Sequence, residues 1–153
     1  MSRAGLPPRE PSGGAPPEVA ELPGGQRLEL AAPAREIAGR HRAEFLDEEA
    51  RYGDHGFEWC AHDNQWILAW AAAEAAGFEN LGRQIEWLAG ILDARGYPVE
   101  RLARDLEIAA DVVAPLRAVL ESGADTVRAG GGRAPQDRPA ATKWSARSSG
   151  APG

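Results

Sequence analysis

The chain of 153 residues has a single cysteine, Cys60, a single methionine and no long apolar run. One thiol excludes an internal disulfide and a cysteine-rich zinc fold. The longest uncharged, mostly apolar stretch, Trp66 to Ala73, falls far short of the ~18 residues that a membrane span requires. The opening residues MSRAGLPPREPSGG lack the apolar segment of a secretory leader, so the expectation is a cytoplasmic protein with no membrane partner. No glycine-rich phosphate loop follows a strand. No segment alternates with period two over a useful length, and the sequence accordingly predicts no sheet. Positive charge is also scarce: 17 basic residues stand against 23 acidic ones, a formal net charge of −6.

What is present is unevenly spread. Residues 1–32 hold Pro7–Pro8, Gly13–Gly14, Pro16–Pro17 and Gly24–Gly25, with few large side chains. Residues 125–153 hold Gly130–Gly132, three prolines and several small polar residues. Such composition buries too little apolar surface to offset the entropy of ordering its backbone, and it predicts two disordered tails. Leu28 and Leu30 are the side chains able to dock on a core. Between the tails, residues 33–127 carry nine arginines against 18 acidic residues, an acidic body that repels phosphate backbones.

The middle is helical, and residues 33–124 are expected to form one domain. Pro33 suits a first helical position, and Ile37, His41, Phe45 and Tyr52 recur near helical spacing up to Gly53. Asp54 is placed to cap a second helix that stops at Gly77. A third shows Phe78, Leu81, Ile85, Leu88 and Leu92 before Gly96. Pro98 opens a fourth, in which Val99, Leu102, Leu106, Ala109, Val113, Leu116 and Leu120 keep a heptad register, with Pro115 set to kink or split it. Short connections make neighbouring helices antiparallel, so the expected fold is an all-α up-down four-helix bundle, or a globin-like variant. Its core is modest for the length, which leaves room for a homodimer.

The second helix carries the candidate site. With Trp66 set on the inner face, Trp59 and Trp70 fall on the same side, as do His55, His62 and Asp63. Buried His and Asp must find partners, because an unpaired polar group costs about 1–3 kcal/mol. One reading pairs His62 with Asp63, Gln65, or Glu44 or Glu48 of the first helix. The other is an aromatic-walled pocket in which His62 and Asp63 orient a planar ligand.

Local spacing argues against a metal. A di-iron bundle site needs Glu-x-x-His twice, whereas Glu58 and His62 stand four apart and His41 and Glu44 are reversed. Cys60 and His62 project about 200° apart on a helix and cannot chelate one ion together. Cys60 reads as a small buried hydrophobe with no base beside it. Residues 102–116, LARDLEIAADVVAPL, approach a helix-turn-helix pattern. Yet Glu107 stands at the usual glycine turn, and Ala109 to Arg117 offers one arginine for DNA, so nucleic acid is not an expected partner.

HDNQWILAWA (62–71) and FENLGRQIEWLAGILDARGYPVERLARDLE (78–107) are similar to bacterial helical sensory domains. These are the globin-like bundles beside regulatory output domains and the helical domains that accompany cobalamin-binding domains. The shared pattern is a histidine-bearing aromatic helix, then an aromatic and a tryptophan (Phe78, Trp87), then Leu92, Arg95–Gly96, Pro98 and spaced leucines. The resemblance implies an all-α signal-receiving or protein-interaction module, with Trp59, His62, Trp66 and Trp70 as the corresponding face. Cobalamin or another aromatic ligand is the cofactor it implies, although the chain has no Asp-x-His-x-x-Gly signature.

The leading expectation is therefore a small regulatory module with a protein partner. The alternative is a small-molecule or cofactor binder using Trp59, His62, Asp63, Trp66, Trp70 and Trp87. Catalysis ranks below both, since no pair of titratable groups is visibly poised with opposed pKa values.

Overall fold

The computed structural model describes residues 14–130, which are mostly helical. They open with a hairpin, β1 (Val19–Glu21) and β2 (Arg27–Glu29), and continue through α1 (Ala31–Glu44), α2 (Asp47–Ala75), α3 (Leu81–Ala94), α4 (Val99–Val112) and α5 (Arg117–Gly130). Among the described residues no helix is long and apolar enough to cross a membrane.

The hairpin corrects the expectation of no sheet and of an unstructured segment up to residue 32. Its strands pair antiparallel with Ala20 opposite Leu28. Gly24 (φ 96°) and Gly25 (φ 89°) supply the left-handed turn between them, a conformation that side chains disfavour. Two leucines anchor it: Leu22 is 7% exposed and Leu30 is fully buried. Composition underrates this segment because two well-placed leucines suffice to dock a short hairpin on a core that other elements build. The remainder of the two expected tails, residues 1–13 and 131–153, lies outside the described residues.

Helix α1 buries Ala34, Ile37, Ala38 and His41, one apolar face with a histidine at its end. It stops at Phe45, so the first break comes earlier than Gly53, and Asp47, Glu48 and Glu49 then open α2 where the helix dipole favours acids. Gly53 is itself non-helical (φ 64°, ψ −159°), a kink inside α2 at the position where the sequence places a boundary. Past that kink the chain doubles closely on itself: a Cβ on Gly56 would collide with the Tyr52 Cβ.

Helix α3 is capped by Asn80, whose side chain accepts a hydrogen bond from the Arg83 N–H (3.2 Å), and the chain leaves it through Gly96. Phe78 precedes α3 and is 84% exposed, so it is no part of the core expected of it. The predicted fourth helix is two: α4 ends at Val112, a 3-10 turn spans Ala114–Leu116, and α5 follows. Pro115 accounts for the break, having no N–H to donate and a ring that displaces the preceding turn. The heptad survives the break, with Leu102, Leu106, Ala109, Val113, Leu116 and Leu120 all buried. Glu107 lies inside α4, so the turn of a helix-turn-helix is not there. Helix α5 runs on to Gly130, beyond the expected domain end at 124.

Among the described residues the α-helices number five, where the sequence predicts four. Helix α4 packs on α5 and α1, α1 packs on α2, and α3 packs on α5. The core they enclose is built on Leu30, Ile37, Ile67, Leu68, Leu81, Ile85, Trp87, Leu106, Leu116 and Leu120.

Candidate functional site

Helix α2 presents Gly56, Trp59, Cys60, Asp63, Asn64 and Ile67 at alternating steps of three and one, which places them on one helical face. That face borders a cavity of about 120 Å³. Helix α4 contributes Arg101, Leu102 and Asp105, α1 contributes His41, and α3 contributes Leu88 and Leu92. Glu48 and Tyr52 from the start of α2, with Arg95 and Tyr97 from the α3–α4 connection, complete the lining. A water needs about 10–15 Å³ of such space, so several waters or one small molecule fit.

The polar groups divide into two clusters. Glu48, 5% exposed, gathers three donors. Tyr97 O–H donates to Glu48 Oε2 (2.7 Å), Arg101 donates to the same oxygen (2.9 Å), and His41 Nδ1 stands 3.4 Å from Oε1. His41 Nε2 donates to the Arg101 carbonyl at 3.2 Å. Arg101 also reaches Asp47 (3.1 Å) and lies over the Phe45 ring. Burial resists the charge on Glu48, but the three donors outweigh it and hold its pKa below the usual value. Burial likewise resists the charge on His41, and Glu48, Asp105 and the Arg101 carbonyl together hold its pKa above the usual value.

The second cluster is less well satisfied. Asn64 Nδ2 donates to Asp105 Oδ1 (3.1 Å) and to the Cys60 carbonyl (2.9 Å), and stands 3.4 Å from Cys60 Sγ. Asp105 Oδ2 and Asn64 Oδ1 are buried with no hydrogen-bond partner among the described residues. Burial pushes the Asp105 carboxyl up to about 6, only partly countered by the His41 charge and the Asn64 hydrogen bond. Burial, together with the charges of Asp105, Asp63 and Glu48, pushes the Cys60 thiol well up. One ring nitrogen of His41, Cys60 Sγ and one Asp105 oxygen all lie within 4.8 Å of one another.

The predicted site residues separate. Trp59 and Asp63 line the cavity, whereas His62, Trp66, Trp70 and Trp87 do not. The inward face of α2 is the one bearing Ala61, Asn64, Ile67, Leu68, Ala71 and Ala72, all buried, and Trp66 points away from its centre, half-buried. The side that carries His62 and Gln65 meets the N-terminal segment instead: His62 Nε2 donates to the Gly14 carbonyl (3.1 Å) and Gln65 donates to the Pro17 carbonyl (2.8 Å). His62 Nδ1 pairs with Asp63 Oδ1 at 3.5 Å, and its ring meets Trp59 edge-on. Burial opposes the His62 charge, yet Asp63 and the Gly14 carbonyl raise its pKa. Its partner is thus Asp63, while Glu48 serves His41. Trp66 and Trp70 are tilted neighbours with centroids 6.1 Å apart, Trp70 being 4% exposed. Trp87 is 1% exposed and belongs to the core.

His41, Glu48, Cys60, Asn64, Arg101 and Asp105 are the site residues that the sequence reading did not assemble. The stripe from Gly56 to Ile67 is visible in the sequence once the helical wheel is centred on it rather than on Trp66. The convergence of α1 and α4 on that stripe has no local signal. No protein-family model, curated protein or solved structure matches the chain.

Proposed function

We propose that the chain is a small helical binding module that takes a small polar ligand into the cavity between α1, α2, α3 and α4. On this reading α1 to α4 frame the cavity, while α5 packs on α4 and α3 and completes the core with Leu120, Ala124 and Val127. The observation that carries the proposal is the pair of unpartnered buried atoms, Asp105 Oδ2 and Asn64 Oδ1, in groups that line the cavity. Leaving such atoms unpaired costs about 1–3 kcal/mol each, and a ligand with donor groups recovers that loss. Around them Ile67, Leu88, Leu92 and Leu102 supply apolar walls, the usual setting of few polar groups in an apolar pocket.

Native mass spectrometry of the untagged full chain, purified from its own host, tests this directly. The expected result is a discrete small-mass adduct that disappears in Leu92→Trp, a substitution that fills the cavity from its half-buried α3 wall. A bare chain in wild type, or an adduct indifferent to Leu92→Trp, sinks the proposal.

An interaction role is the second reading, and it draws on Leu46 (77% exposed) and Phe78 (84% exposed) at the two ends of α2. Isolated exposed apolar side chains are common on soluble proteins, which is why the cavity takes precedence.

A further inference from the structure

We propose that His41, Cys60 and Asp105 form a binding site for a zinc-class divalent transition-metal ion, with its open coordination position facing the cavity. The inference deepens the binding reading above and rests on it. Three helices deliver one donor each: an imidazole nitrogen, a sulfur and a carboxylate oxygen, mutually within 4.8 Å. Tetrahedral coordination at ordinary zinc bond lengths needs donor separations of roughly 3.3–3.8 Å, a contraction within the reach of side-chain rotation. Nitrogen, sulfur and oxygen together match zinc and its neighbours, whereas calcium and magnesium take oxygen alone.

Each donor already has the outer contact that metal ligands generally carry. His41 Nε2 donates to the Arg101 carbonyl (3.2 Å), which leaves Nδ1 as the nitrogen open to a metal once it gives up the proton it directs at Glu48 Oε1 (3.4 Å). Asn64 holds Asp105 Oδ1 (3.1 Å) and lies against Cys60 Sγ (3.4 Å). The remaining oxygen, Asp105 Oδ2, is buried and without a partner. Arg101, which also lines the cavity, is occupied by Asp47 and Glu48. Binding replaces the Cys60 S–H and His41 Nδ1–H bonds by metal–sulfur and metal–nitrogen bonds and releases both protons to solvent. Three protein ligands leave a fourth position for water or for a ligand atom of the cavity's occupant, the arrangement of an open rather than a closed zinc site.

The experiment is a Co²⁺ titration of the untagged full chain after treatment with a chelator, followed by Zn²⁺ displacement. The expected result is one equivalent of Co²⁺ with a near-ultraviolet sulfur-to-metal charge-transfer band and intense visible bands, both erased by Zn²⁺. Cys60→Ser should abolish the charge-transfer band with the helical circular dichroism intact. Asn64→Ala, which removes only the outer contact, should weaken binding roughly 10–100-fold. Should Cys60→Ser fail to fold, Asn64→Ala and Asp105→Asn decide in the same titration. Absence of a charge-transfer band in wild type, or affinities unchanged in these variants, overturns the site. A small organic adduct in native mass spectra beside a silent Co²⁺ titration overturns the metal alone. A silent titration and a bare chain overturn the metal and the binding reading together.

Discussion

Asp105 is 4% exposed and is held by one hydrogen bond, from Asn64. Its carboxyl ionises near about 6 in the folded chain against an ordinary 3.8. Between those values the folded state retains a proton that the unfolded state has lost, so stability falls as pH rises through that window. The difference corresponds to about 3 kcal/mol lost by neutral pH in metal-free protein. His41 acts in the same sense at higher pH: its raised pKa gives stability that is present below its ordinary 6.5 and lost as pH climbs through the folded value. Glu48 acts oppositely, stabilising above its ordinary 4.5 and ceasing to do so as pH drops through its lowered folded value. Urea unfolding of metal-free Asp105→Asn should therefore show a higher midpoint than wild type at neutral pH and a flatter dependence between about pH 4 and 6. Parallel pH profiles for the two proteins would assign the cost to something other than the buried carboxylate. A residue that lowers the stability of the empty protein is the pattern expected where a ligand repays the loss.

At the scale of single elements, the kink in α2 positions the cavity wall. Gly53 sits at φ 64°, ψ −159°, a region essentially reserved for glycine, and Gly56 packs directly against Tyr52. Together they turn Glu48 and Tyr52 back over the stripe that begins at Gly56. Gly53→Ala is expected to cost about 1–3 kcal/mol through backbone strain. Gly56→Ala should cost a similar ~1–3 kcal/mol through overpacking against Tyr52. Thermal melts measure both, and binding by the cavity should weaken alongside. A Gly56→Ala protein as stable as wild type would mean that the close approach to Tyr52 relaxes without consequence. The break at Pro115 separates α4 from α5, which packs back on α4.

For the whole molecule, the hairpin is the part that composition hides. Leu22 and Leu30 complete the core, and the segment bearing Gly14 and Pro17 accepts hydrogen bonds from His62 and Gln65 of α2. A chain beginning at residue 31 should unfold at a clearly lower temperature than the full chain, since loss of Leu30 alone is expected to cost about 2–5 kcal/mol. Equal melting temperatures would show the hairpin to be dispensable, as a tail would be. The surface contributes less. Arg128 joins Glu100 and Glu107, and Arg104 joins Glu107 to Glu44, but such exposed pairs are individually worth little.

Helical class, the stops at Gly77 and Gly96, the discontinuity at Gly53 and the interruption at Pro115 were all legible in the chain itself. Each depends on properties that residues carry locally: apolar periodicity, glycine at positive φ, a proline without an N–H. The face of α2 that points inward was not legible, because two stripes compete there and tryptophan on one outweighs alanine, asparagine and isoleucine on the other in any count of apolar area. The decision came from what packs opposite, where α1, α3 and α5 pack on α2 and the N-terminal segment takes the His62 side. The meeting of His41, Cys60 and Asp105 likewise belongs to the tertiary structure alone. Donors on three separate helices share no spacing in sequence, and only the packing angles of α1, α2 and α4 bring them within reach of one ion.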